Sequence, residues 1–386
     1  MKIAVISHWG FKSLHGGNLR FYFLIKELIR RGHALTIVLA DNMDIQHCIE
    51  LFGCRAISVN EPMSRWQSMR SKMLQYSVFA YKVKKCLDSH GFDTVMGINL
   101  IQALPAVWHD KEKAMIMYVD LWADFYEYDS KKTLLNKLIA RTVRFVEFHT
   151  IRKAKKVIII TEAMKQLIPK KTRDKVKVIP DGADTKHFRP GLDGSKIRDQ
   201  YGLGNAPVFS YQGGIAPHEG LNFLCMAAPY VLREIPGAKF LIVGKGDFLK
   251  VCQNIVRTNG TEKSFVFTGW IDYAHMNSVL AAVDVSVVPM PNVRASRPII
   301  SFKLLEGMAS KTLIVANRLP GLCEIVDDSM VLMTNVEDPL IFAKDLVTAY
   351  QMPESKKQEM STKALEKIRS LDWRLIAKKD ADYFTN

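Results

Sequence analysis

Along the first half of the chain, short unbroken apolar runs alternate with longer segments whose apolar residues recur every three or four positions. The run "KIAVIS" (2–7) leads into a loop holding Gly16 and Gly17, then "NLRFYFLIKELIRR" at helical spacing, Gly32 as a stop, and the run "ALTIVLA". That order predicts strand, helix, strand, which is a parallel crossover unit. Further strands are predicted at "TVMGIN" (94–99), "AMIMYVD" (114–120) and "KVIIIT" (156–161), with helical segments between them.

A second series follows the Pro and Gly punctuation of "VIPDGADTKHFRPG" (178–191). Its strands read "VFSYQG" (208–213), "KFLIVGKG" (239–246), "SFVFTG" (264–269), "VDVSVVPM" (283–290) and "TLIVAN" (312–317). Strands that are apolar throughout are buried on both faces, as in parallel sheets. The pattern therefore predicts two doubly wound α/β domains in tandem, over 1–180 and 181–368. The tail 369–386 contains an amphipathic helix, "SLDWRLIAKKDADYF", and periodicity leaves open whether it crosses back to the N-terminal domain.

Length agrees with two domains, since 386 residues is two to three times a common domain size. A hydrophobic fraction of 48% with 24% charged residues supplies a packed interior. The six cysteines show no CxxC spacing and no neighbouring histidine cluster, so reduced thiols are expected and a zinc site is not. "MKIAVI" enters a strand without a charged leader, and no apolar run reaches the length of a membrane span. A cytoplasmic protein, soluble or peripheral on the inner face of the membrane, is the expectation. The net charge of +15 is one-sided: residues 1–180 hold 30 Lys and Arg against 16 Asp and Glu. Such a field attracts anionic surfaces or substrates.

In open parallel sheets, ligands bind beyond the carboxyl ends of the strands. Gly16 and Gly17 follow the first strand, where missing β-carbons let an anion or sugar approach a helix start, although an ordinary turn needs the same residues. "VGKGDF" places Gly244 similarly in the second series, yet no GxGxxG follows, so a dinucleotide site of the nicotinamide type is not supported. In "SFKLLEGMASKTLIVANRLPG", Lys303 and Glu306 are i,i+3 neighbours at the start of a helix expected from about Ile300. A glutamate there suits a pair of ribose hydroxyls and a lysine suits a phosphate. A solvated Lys–Glu pair is the alternative.

"VIPDGADTKHFRP", "FSYQGGIAPHEGLNFL", "FLIVGKGDF", "FVFTGWID", "AAVDVSVVPM" and "FKLLEGMASKTLIVANRLPG" together resemble, in order, the motifs of the GT4 family of glycosyltransferases, and "HGGN", "RRGHALTIV" and "KVIIITEAMKQLI" extend the resemblance over nearly the whole chain. The resemblance implies a GT-B fold: two Rossmann-like domains facing a central cleft, with a nucleotide-sugar donor on the second and an acceptor on the first. It further implies retaining transfer without a metal ion or other cofactor. By family frequency the donor is a UDP-sugar. Glu306 resembles the family's ribose-binding glutamate, and Gly213, Gly214, Gly244, Trp270, Ile271, Arg294 and Leu305 fall at donor-binding positions. Core packing is the alternative for Trp270.

Three departures from the family pattern stand out. Pro298 replaces the acidic residue eight positions before Glu306, Gly214 and Glu219 replace an arginine and a lysine that meet the diphosphate, and Asp120 stands in the loop where a histidine is usual. A diphosphate in a cleft still requires cations. Lys303, helped by Arg294 or Arg297, is the expected substitute, and Lys303→Met should lower turnover far more than stability. Asp120 would orient or deprotonate an acceptor hydroxyl, or else cap the helix of "LWADFYEY".

The basic first domain includes 63–85 and 131–156, which mix cations with leucines and aromatics and suit an anionic membrane surface and a glycan or lipid-linked acceptor. Packing of one face on the sheet is the alternative reading. Nucleic acid is not expected, since no binding module accompanies the charge. Two other functions share the architecture: a nucleotide-sugar epimerase, and a catalytically degenerate partner of an active transferase.

Overall fold

The computed structural model describes residues 1–61, 69–130 and 132–385, without the side chains of 69–73. The chain divides into two compact units, Met1–Pro180 joined by the C-terminal segment from Arg374, and Asp181–Trp373.

The first unit is built on a seven-stranded sheet. Its strands are β1 (Lys2–Ser7), β2 (Ala34–Leu39), β3 (Arg55–Ser58), β4 (Thr94–Ile98), β5 (Ala114–Tyr118), β6 (Lys156–Ile159) and β7 (Val176–Val178), in the order β3-β2-β1-β4-β5-β6-β7 with every pairing parallel. The central strands are inaccessible on both faces, Ile3 to Ile6 being 0% exposed, which is why their sequences carry no polar alternation.

The helix Gly16–Arg30 starts from a reciprocal cap. His15 Nδ1 accepts the Gly17 N–H at 3.1 Å, while the Asn18 side chain accepts the His15 N–H at 2.9 Å. A β-carbon on Gly17 would lie 1.9 Å from the Trp9 ring, so the indole would have to move to admit any larger residue. The helix Trp373–Thr385 packs on this unit from Arg374 onward, whereas the helix Glu354–Arg369 stays with the second. Its anchor is a buried fork: Arg20 Nη2 and Nε donate to the two Asp380 oxygens at 2.7 and 2.9 Å. Burial pushes the Asp380 carboxyl above its usual value, and the Arg20 charge only partly opposes this.

The second unit holds a six-stranded parallel sheet in the order β10-β9-β8-β11-β12-β13, from β8 (Val208–Gln212), β9 (Lys239–Val243), β10 (Phe265–Gly269), β11 (Val285–Val288), β12 (Leu313–Asn317) and β13 (Leu332–Thr334). Phe209, Phe240 and Phe265 form a cross-strand stack with centroids 5.7 and 4.7 Å apart. The helix carrying Lys303 and Glu306 runs over Phe302–Ala309, two residues later than the sequence pattern suggests.

All six cysteines are free thiols. Among the described residues no helix is long and apolar enough to cross a membrane. Of the basic segment 63–85, residues 63–68 lie outside the described residues; the rest falls within the helix Met69–Asp88.

Candidate functional site

At the carboxyl edge of the second sheet, β8 ends in Gly213 and Gly214, and β9 ends in Gly244. Gly213 has φ of +136° and Gly244 has φ of +144°, conformations that favour glycine. A β-carbon on Gly244 would lie 1.8 Å from the Gly213 carbonyl oxygen, and one on Gly213 would lie 2.9 Å from Lys303 Cε. The two turns therefore interlock, and the lysine stem lies along the first. Their N–H groups are already spent, Gly213 donating to Val243 O and Gly244 to Gly269 O. Gly214 differs: no atom lies within 4 Å of its β-carbon position, so that side of it is uncovered, while its carbonyl accepts the Tyr211 hydroxyl.

Lys303 is 7% exposed. It does not pair with Glu306 as a solvated i,i+3 couple. Its Nζ donates instead to Glu219 Oε2 at 2.5 Å and lies 5.2 Å from the Tyr211 ring centroid. Burial raises the Glu219 pKa, but the Lys303 charge and hydrogen bond, together with His218, outweigh it and hold the carboxyl below the usual range. Glu219, which the family resemblance sets where a lysine is usual, thus captures the cation expected for the diphosphate. Because Lys303 is buried and paired, Lys303→Met is now expected to cost stability as well as activity.

Glu306 is left half-buried, and its carboxylate makes no hydrogen bond or ion pair within the described structure. Burial, partly countered by the Lys303 charge, pushes its pKa up to about 8. A carboxylate held this way lacks the donors that a vicinal diol supplies.

The remaining predicted residues separate. Trp270 is 44% exposed, which removes the core-packing alternative; its indole lies 5.1 Å below Lys245 Nζ and within 3.4 Å of Asp272. Ile271 beside it is half-buried. Leu305 is 0% exposed, so its side chain belongs to the core, and its N–H bonds Ser301 O. Arg294 and Arg297 are exposed on the loop before the helix, and the cation that acts on Glu306 is Lys303. Pro298 is buried against Gly321, whose β-carbon would lie 2.7 Å from the Pro298 carbonyl carbon. A cavity of about 480 Å³ opens beyond β12 and β13, lined by Asn317, Arg318, Thr334, Glu337 and Asp345, and it includes none of the predicted residues.

In the first unit, Gly16 opens its helix and is half-buried, and Asp120 follows β5. Asn99, strained at φ of +54°, organises that loop: its Oδ1 accepts the N–H groups of Val119 and Asp120, and its Nδ2 donates to Asp120 Oδ2 at 3.2 Å. Asp120 does not cap the following helix. The first N–H groups there, of Trp122 and Ala123, go to buried Glu147, whose pKa burial raises to about 8 against those two bonds. His8, 8% exposed after β1, is held by Gln102 at 2.8 Å with its ring 6.4 Å from Trp122. Apolar runs and motif spacing do not single out His8, Asn99 or Glu147. The position of His8 and Asn99 immediately after apolar runs was their only signal.

A family model described as "Glycosyl transferases group 1" matches residues 206–352, and one described as "Glycosyltransferase Family 4" matches residues 15–187. The chain belongs to the GT4 glycosyltransferases. A GDP-mannose-dependent alpha-(1-6)-phosphatidylinositol monomannoside mannosyltransferase from Mycolicibacterium smegmatis is 31% identical over 153 residues, 39% of this GT4 chain. The match spans 40% of that relative's length. Among solved structures, a sucrose-phosphate synthase from Thermosynechococcus elongatus superposes with a TM-score of 0.83 at 18% identity, covering 100% of this chain and 98% of the other. HepE of Anabaena, in complex with UDP and glucose, does so with a TM-score of 0.76 at 18% identity, covering 100% and 99%. These likenesses establish the GT-B fold for this GT4 chain. Among the described residues no group of three or more His, Cys, Asp or Glu is placed to hold a metal ion.

Proposed function

We propose that this GT4 chain is a retaining, metal-independent transferase that moves a sugar from a nucleotide-sugar, a UDP-sugar, to a cell-envelope glycan, glycolipid or related acceptor. The observation carrying this reading is the unpartnered, half-buried carboxyl of Glu306 beside the Lys303–Glu219 pair at the ligand edge of the second sheet. In this reading Glu306 accepts hydrogen bonds from the ribose, the diphosphate approaches the uncovered side of Gly214, and Lys303 turns from Glu219 to the leaving phosphate as negative charge develops. Trp270 and Lys245 border the base. Asp120, oriented by Asn99, takes the acceptor proton. The mannosyltransferase relative uses GDP-mannose, and HepE was solved with UDP and glucose, so both bases belong in the test.

A thermal-shift screen of UDP-, GDP- and ADP-sugars checks the donor, since a ligand at ~100 times its dissociation constant adds about 2.7 kcal/mol. A UDP-sugar is expected to give the largest shift, and a larger shift with GDP-mannose would reassign the base. Transfer rates measured with and without EDTA should agree, and loss of activity restored by magnesium or manganese would overturn metal independence. The Lys303–Glu219 pair also fits a second reading, in which the chain binds nucleotide as an inactive partner of another transferase. Tight donor binding with no turnover across a broad acceptor panel would favour it.

A further inference from the structure

The helix Leu134–Lys153 buries Ala140, Glu147, Thr150 and Ile151 on one side. On the other side Leu134 is 86% exposed, Leu138 60% and Phe145 70%, and at offsets of four, three and four residues Leu134, Leu138, Arg141 and Phe145 form one stripe. Lys137 and Arg141, both exposed, interleave with it. The only acid in the helix, Glu147, faces inward and is spent on backbone N–H groups, while the nearby acids Asp124 and Glu127 are taken up by Arg144 at 2.6 and 2.5 Å. The outer face therefore joins large apolar side chains to uncompensated positive charge, in a unit whose sequence is strongly basic.

We propose that this face docks the protein onto an anionic bilayer surface, with Leu134, Leu138 and Phe145 entering the headgroup boundary and Lys137 and Arg141 meeting lipid phosphates. A protein partner would have to supply a matching acidic, apolar groove; an anionic bilayer supplies both complements everywhere. The proposal deepens the reading above by placing the enzyme beside a lipid-linked acceptor, and it stands on its own observations.

The test is sedimentation of the full chain with phosphatidylcholine vesicles, with and without phosphatidylglycerol, alongside light scattering. Wild type is expected to sediment with the anionic vesicles only, less so as salt rises. Lys137→Glu/Arg141→Glu should weaken partition by about tenfold or more, and Leu138→Ser/Phe145→Ser should also weaken it. Both pairs lie on the exposed face, so melting temperature and transfer to a soluble acceptor should stay at wild-type values. Failure of wild type to sediment, equal partition of the variants, or a concentration-dependent dimer abolished by Leu138→Ser would overturn the proposal. Vesicle binding that fails while soluble transfer persists would remove the docking face and leave the transferase reading standing.

Discussion

Replacing Glu306 with alanine is expected to abolish the thermal shift given by the nucleotide-sugar donor while raising the melting temperature of the ligand-free protein at alkaline pH. Two hydrogen bonds to an ionised carboxylate contribute about 1.5–3 kcal/mol each, so affinity should fall by at least ~100-fold. The stability effect has the opposite sign because the folded pKa of Glu306 is raised, from 4.5 to about 8. A raised folded pKa means that its contribution is fully present below pH 4.5 and is lost as pH rises through 8. The alanine variant escapes that loss and should melt higher than wild type at pH 9, with the difference narrowing toward pH 5. Glu147 titrates near the same pH in both proteins, so the comparison between variant and wild type isolates Glu306. Ribose hydroxyls bonded to the ionised form would lower its pKa, so donor affinity should increase from pH 6 to pH 8. An unchanged donor shift in Glu306→Ala would end the ribose assignment.

The second large effect belongs to Lys303. Loss of one group that stabilises developing charge lowers turnover about 10²–10³-fold, and Lys303→Met should show a loss of that order in kcat. The same change leaves Glu219 facing an apolar side chain, at a cost of roughly 1–3 kcal/mol, moderated by the water that still reaches its carboxylate. The double variant Glu219→Gln/Lys303→Met separates the two effects. It should recover most of the stability because both charges are gone, and it should remain as inactive as the single variant. A double variant that regained activity would show that Lys303 serves only to balance Glu219. Single-variant turnover within a few-fold of wild type would remove Lys303 from the chemistry altogether.

The strands legible in the sequence are those in the middle of the sheets, together with β10 at one edge. β3, β7 and β13 escaped the pattern, and each is a sheet edge of three or four residues. An edge strand pairs on one side only, so it needs neither length nor a run that is apolar on both faces. Leu305 and Trp270 show the same limit at the level of single residues. The family resemblance assigns both to the donor site, yet the helix turned one into the core and the strand end left the other exposed.

The alternation of apolar runs and helical periodicity determined two parallel-sheet units, their order along the chain, and the glycine turns at the strand ends, because burial on both faces and positive φ each restrict residue type locally. Tertiary structure decided the charges. Whether Lys303 meets Glu306 three residues away or Glu219 across 84 positions, and whether the last helix returns to Arg20 through Asp380, depends on which groups folding removes from water together. Desolvation sets the energy of an ion pair, and it is a property of the packed surroundings that spacing along a chain does not encode.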